Sequence, residues 1–102
     1  MNETNAVGAK EAIDKGGVVL VDLHADWCTF CKKTRPHLDK IDGEREDITM
    51  VAIDTDMDPD AYDNFAVKTL PTVILYRDGE ELARRGSGDY EELNVWLSGL
   101  GV

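Results

Sequence analysis

Val18-Val19-Leu20-Val21-Asp22-Leu23, followed by His24-Ala25-Asp26-Trp27-Cys28-Thr29-Phe30-Cys31-Lys32-Lys33, is the stretch that decides how this chain folds. Its first six residues are almost continuously apolar, which suits a central strand buried on both faces. From about Cys28 to Asp42 the pattern turns helical, with Leu38 and Ile41 continuing an apolar stripe and Pro36 set to kink it. A strand thus delivers the pair Cys28-x-x-Cys31 to a helix N-terminus. Residues three apart on a helix share one face, about 5–6 Å apart at Cβ. Disulfides want Cα atoms roughly 4.4–6.8 Å apart, so the pair can open and close with little backbone movement. Free N–H groups and the positive dipole end of a first turn stabilise a thiolate. Such placement lowers a cysteine pKa from about 8.5 toward 7 or below. The two sulfurs read as a reversible dithiol–disulfide couple.

Outward from this junction the pattern is equally ordered. Ala6–Lys15 is a short helix candidate, with Asn5 as its N-cap and Gly16-Gly17 as its stop. Ile48–Ile53 is a second strand, and Pro59 can open a third helix through Phe65. Thr72-Val73-Ile74-Leu75-Tyr76 and Glu81-Leu82-Ala83-Arg84 flank Asp78-Gly79, a strong hairpin signal. Asp89 and Glu92 fit a capping box, with Leu93, Trp96, Leu97 and Leu100 on one helical face behind it. The expected order is αβαβαββα, with parallel strands joined by helical crossovers and then an antiparallel hairpin.

With 102 residues, 42% of them hydrophobic, the chain is expected to form one domain over 1–102 around one core. Two cysteines are too few for the disulfide framework of a small secreted scaffold. Met1-Asn2-Glu3-Thr4-Asn5 lacks a basic stretch followed by an apolar one, and no apolar run reaches the roughly 18 residues of a membrane span. These features lead us to expect a cytoplasmic protein, where Cys-x-x-Cys is more often redox-active or metal-binding than structural. Twenty-one acidic against eleven basic residues give a net charge of −10, which argues against nucleic-acid partners and anionic membranes. The acidity suits either a well-solvated surface or basic partners.

The chain resembles the thioredoxin family. The resemblance rests on Val21-Asp22-Leu23 before the turn, Ala25-Asp26-Trp27-Cys28-x-x-Cys31-Lys32, and Pro36 in the helix that follows. Leu70-Pro71-Thr72 before the hairpin and Gly86 after it complete the pattern. It implies an α/β thioredoxin fold, a central mixed sheet flanked by helices. Three positions depart from it. Thr29-Phe30 stand where Gly-Pro is typical, His24 where a Trp or small residue is common, and Ala52 where a lysine often lies near the buried aspartate.

The resemblance implies a role for each site residue. Cys28, at the exposed start of the helix, is the expected nucleophile, and Cys31, more deeply buried, the resolving thiol. Asp22 is depleted in strands as a type and costly to bury, so its pKa should be raised. The resemblance makes it the acid and base for the Cys31 thiol, the alternative being a hydrogen-bonded aspartate at a strand end. Pro71 is expected to be cis and to face the disulfide, with the Leu70 backbone pairing to substrate as an added strand. Trp27, Thr29 and Phe30 complete the expected substrate surface, although Trp27 suits core packing equally well. Gly86 lets a bound peptide approach closely or is an ordinary turn glycine. His24 either neighbours the sulfurs or is a solvated loop residue, and His37 is expected at the surface.

The leading functional expectation is a monomeric protein-disulfide reductase that acts on protein disulfides and is reset by a thioredoxin-reductase-like donor. It needs no cofactor, because the electrons travel on the two sulfurs. A disulfide oxidase or isomerase is the nearest alternative, separated only by redox potential and partner. Two other classes differ in kind. Cys28, Cys31, His24 and His37 nominally make a Cys₂His₂ metal set, in a spacing unlike a usual finger. A scaffold without turnover would dispense with both cysteines.

Overall fold

The computed structural model describes residues 1–102. Five strands form one sheet: β1 (Asn2–Thr4), β2 (Val18–His24), β3 (Ile48–Asp54), β4 (Thr72–Arg77) and β5 (Glu80–Arg85). Their order across the sheet is β1-β3-β2-β4-β5. β1 and β2 run parallel to β3, while β4 is antiparallel to both β2 and β5. The helices are α1 (Ala6–Asp14), α2 (Thr29–Glu44), α3 (Ala61–Asn64) and α4 (Tyr90–Gly99). This is the α/β architecture with a mixed sheet that the resemblance implies.

Strand alternation divides the core in two. On one face, Val19, Val21 and Leu23 of β2 join Val51 and Ile53 of β3 and pack under Ala6, Ala9 and Ile13 of α1. On the other, Leu20, Met50, Val73 and Leu75 pack under Leu38 and Ile41 of α2 and Leu93 and Leu97 of α4. Asp22 falls in the Leu20 row, beneath α2. Its register partners are Ala52 on β3 and Val73 on β4, and neither carries a charge.

Local signals hold where they are strong. The Asn5 side chain accepts from the Gly8 N–H at 2.8 Å, and Asp89 and Glu92 close a reciprocal capping box. Asp78 and Gly79 both have positive φ, 50° and 87°, as a two-residue hairpin turn demands. α2 runs through Pro36 without a break.

Three expectations need correcting. The order begins with a strand, β1, whose Asn-Glu-Thr sequence has no apolar periodicity and which exists by pairing with Val51–Ile53 of β3. The third helix is a single turn, Ala61–Asn64, preceded by a chain of turn bonds from Asp54 to Tyr62, so Pro59 lies outside it. Cys28 is the N-cap of α2 rather than its first residue.

Candidate active site

β2 ends at His24, and the turn Ala25–Trp27 hands the chain to α2. Cys28 caps that helix in an extended conformation (φ −86°, ψ 107°), and its Sγ accepts the Cys31 N–H at 3.2 Å. Cys28 and Cys31 are joined in a disulfide with Cα atoms 5.2 Å apart. Sulfur therefore occupies the place where a helix start best supports negative charge, and the first turn of α2 holds no acidic residue to oppose it.

The expected contrast in burial between the two cysteines is absent. Cys28 is 6% exposed and Cys31 5%, with Ala25 and Leu70 packed against the pair.

Beneath them lies Asp22, 3% exposed. Burial pushes its carboxyl up from 3.8 to about 6, with Glu3 and Asp39 adding to the rise and His24 and Arg35 opposing it. Asp22 and Cys31 line one cavity of about 180 Å³ together with His24, Ala25, Asp26, Lys32 and Arg35. That volume is room for several waters at about 30 Å³ each. The Arg35 guanidinium reaches three carboxylates: Nη2 to Glu3 Oε2 at 2.7 Å, Nε to Asp39 Oδ1 at 3.2 Å, and Nη1 to Asp22 Oδ2 at 4.0 Å. His24 is no free loop residue, since its Nε2 meets Glu3 Oε1 at 2.9 Å. Burial works to raise the Glu3 carboxyl, but the bonds from Arg35 and His24 outweigh it and hold it below the usual range.

A second groove, about 210 Å³, lies beside the disulfide and is lined by Phe30, Thr69, Leu70, Pro71, Gly86 and Ser87. The Leu70–Pro71 bond is cis, and Thr72 Oγ1 donates to Thr69 O at 2.6 Å to brace the turn. Four of the predicted substrate residues, Phe30, Leu70, Pro71 and Gly86, therefore share one wall. Thr29 and Trp27 do not line it. Trp27 is 66% exposed, which removes its core-packing reading, and its indole Nε1 donates to Asp56 Oδ1 at 3.2 Å. Phe30 is 59% exposed with Lys33 Nζ 5.6 Å from its ring centre. His37 is half-buried and lines a separate groove with Phe30 and Asp89, away from His24. The nominal Cys₂His₂ set thus does not converge, and no three His, Cys, Asp or Glu side chains are grouped to ligate a metal.

Sequence reasoning missed Glu3, Arg35, Asp39 and Asp56. The spacing Cys31, Arg35, Asp39 at steps of four was a readable sign that one helical face carries all three. Glu3 and Asp56 gave no local sign, because only the sheet and the turn after β3 bring them to the site.

The Thioredoxin family model matches residues 3–98. Thioredoxin of Mycobacterium tuberculosis is 39% identical over 82 residues, spanning 79% of this chain and 71% of its own. Thioredoxin of Chlamydia muridarum is 40% identical over 68 residues, 67% of each chain. Among solved structures, oxidised mitochondrial thioredoxin 3 of Saccharomyces cerevisiae superposes with a TM-score of 0.86 at 25% identity, covering 97% of this chain and 94% of that one. Fasciola hepatica thioredoxin, at 23% identity and TM-score 0.87 over 96% and 97%, shares the fold. The disulfide at a helix start, the fold around it and these relatives together show that the chain belongs to the thioredoxin family and is a thiol–disulfide oxidoreductase.

Proposed function

We propose that residues 1–102 act as a single thioredoxin-like domain whose Cys28-Thr29-Phe30-Cys31 motif reduces protein disulfides. The observation that carries this reading is the Cys28–Cys31 bond at the N-cap of α2, with Cys31 lining the same cavity as Asp22. In the reduced protein the Cys28 thiolate attacks a substrate disulfide, forming a mixed disulfide and releasing one substrate thiolate. Asp22 takes the proton of Cys31. The Cys31 thiolate then attacks Cys28 Sγ, the mixed disulfide breaks, the second substrate thiolate leaves, and the internal bond forms. Two electrons pass to the substrate. A carboxyl with a pKa of about 6 suits this exchange, since it is mostly ionised at neutral pH yet readily reprotonated.

Leu70, Pro71, Gly86 and Phe30 would hold the substrate segment in the groove, with Thr29 and Trp27 at its margin. A dithiol donor of the thioredoxin-reductase kind would reset the couple, in a reducing compartment such as the cytoplasm, with the protein acting as a monomer. No helix is long and apolar enough to cross a membrane.

The test is trapping. Cys31→Ser, mixed with a disulfide-bonded protein substrate, should accumulate a covalent adduct at Cys28 by mass spectrometry, whereas Cys28→Ser should give none. An adduct through Cys31 alone would reverse the assignment, and none in either would remove it. The equilibrium potential against glutathione then separates a reductase from an oxidase.

A further inference from the structure

Asp22 is surrounded by charge from three elements but touches little of it. Its neighbours across the sheet, Ala52 and Val73, are neutral. His24 lies two residues on along β2, with Asp26 in the turn beyond, and Glu3 comes from β1. Arg35, Asp39 and Lys32 come from α2. His24 and Arg35 both oppose the rise of the Asp22 carboxyl, and of the two only the guanidinium carries a permanent charge. Lys32 is exposed, so Arg35 is the permanent cation held toward the carboxyl. We infer that Arg35 is a positioning residue of the thiol–disulfide site, clamped by Glu3 and Asp39 so that its free Nη1 edge sets the proton affinity of Asp22 beneath Cys31.

The geometry gives the clamp its purpose. Two edges of the guanidinium are spent on anchors at 2.7 and 3.2 Å, which fix its position. The third stands at 4.0 Å from Asp22 Oδ2, too far for a hydrogen bond and near enough for strong attraction. The carboxylate is stabilised while its oxygens stay free to exchange a proton. Without such a cation a buried carboxyl can rise to about 8 or 9 and would hold its proton too tightly at neutral pH to serve as a base. Arg35 sits one turn beyond Cys31 on the same helical face, so cation and resolving thiol are carried over Asp22 as one rigid unit. β1, three residues at the sheet edge, gains a role as the mount for Glu3.

This inference rests on Asp22 as proton carrier for Cys31, and two assays keep the claims apart. The Asp22 carboxyl carbon is titrated by NMR in the oxidised wild type, Arg35→Met, Arg35→Gln and Arg35→Lys. In parallel, the pH dependence of single-turnover mixed-disulfide resolution is measured in each, with Asp22→Asn as reference. Loss of the cation should raise the Asp22 midpoint by about one pH unit or more, a tenfold tighter hold on the proton. Arg35→Lys should restore most of that, and the rate limb should move with the midpoint. A midpoint that stays put in both neutral variants overturns the role of Arg35 whatever the kinetics. A midpoint that moves, with Asp22→Asn resolving at the wild-type rate, upholds Arg35 and overturns Asp22 as proton carrier.

Discussion

Replacing Asp22 by Asn should change how the stability of the oxidised protein depends on pH, in a direction set by burial. In the fold the Asp22 carboxyl is raised from 3.8 to about 6, chiefly because an ionised group 3% exposed has lost its water. The folded chain therefore binds this proton more tightly than the unfolded chain. The stability it contributes is fully present below pH 3.8, declines between 3.8 and about 6, and is gone above. At about 1.4 kcal/mol per tenfold in proton affinity, the total is about 3 kcal/mol. Asn keeps the volume and cannot ionise. Its advantage over the wild type should be near zero at pH 4 and grow to as much as about 3 kcal/mol at pH 7. Urea unfolding of both oxidised proteins between pH 4 and 8 measures this, provided the m-values agree. Taking the difference between the two proteins cancels the titrating groups that do not face Asp22, among them Asp47 and Glu81, whose lowered pKa values tilt stability the opposite way. A difference that does not vary with pH would refute the reasoning, because Asp22 would then ionise as easily in the fold as out of it.

Gly86→Ala should leave the fold within about 0.5 kcal/mol of wild type, since the added Cβ meets Pro71 O at an ordinary 3.7 Å. It should slow reduction of a protein disulfide while sparing a small disulfide; equal effects on both would remove Gly86 from the docking wall. Leu38→Ala, at a fully buried position of α2 behind the site, should cost about 2–5 kcal/mol in chemical unfolding. Asp89→Ala removes one half of the capping box of α4 and should cost about 0.5–2 kcal/mol, with the active-site cysteines still able to cycle.

What could be read locally depended on how much of each element's cause lay within a few residues. The Asn5 cap, the Asp78-Gly79 turn and the Asp89/Glu92 box are short-range chemistry, and each appears where the residues put it. β2 was legible because a strand buried on both faces must be apolar throughout, which also made Asp22 conspicuous inside it. β1 was illegible: three polar residues have no preference of their own, and only the open edge of β3 makes them a strand. The shortness of α3 was hidden for a similar reason, since a proline and acidic residues before an apolar stretch suit a helix or a run of turns alike.

The same division runs through the site. Sequence alone determined that two sulfurs meet at a helix start, because a spacing of three on an α-helix and the charge at its first turn follow from backbone geometry. It also set a carboxyl, Asp22, inside an apolar strand. Only the tertiary structure decided what that carboxyl faces. Ala52, Arg35 and Glu3 come to Asp22 from three separate stretches of chain, and the interaction between charges depends on distance through space, which the order of residues does not state.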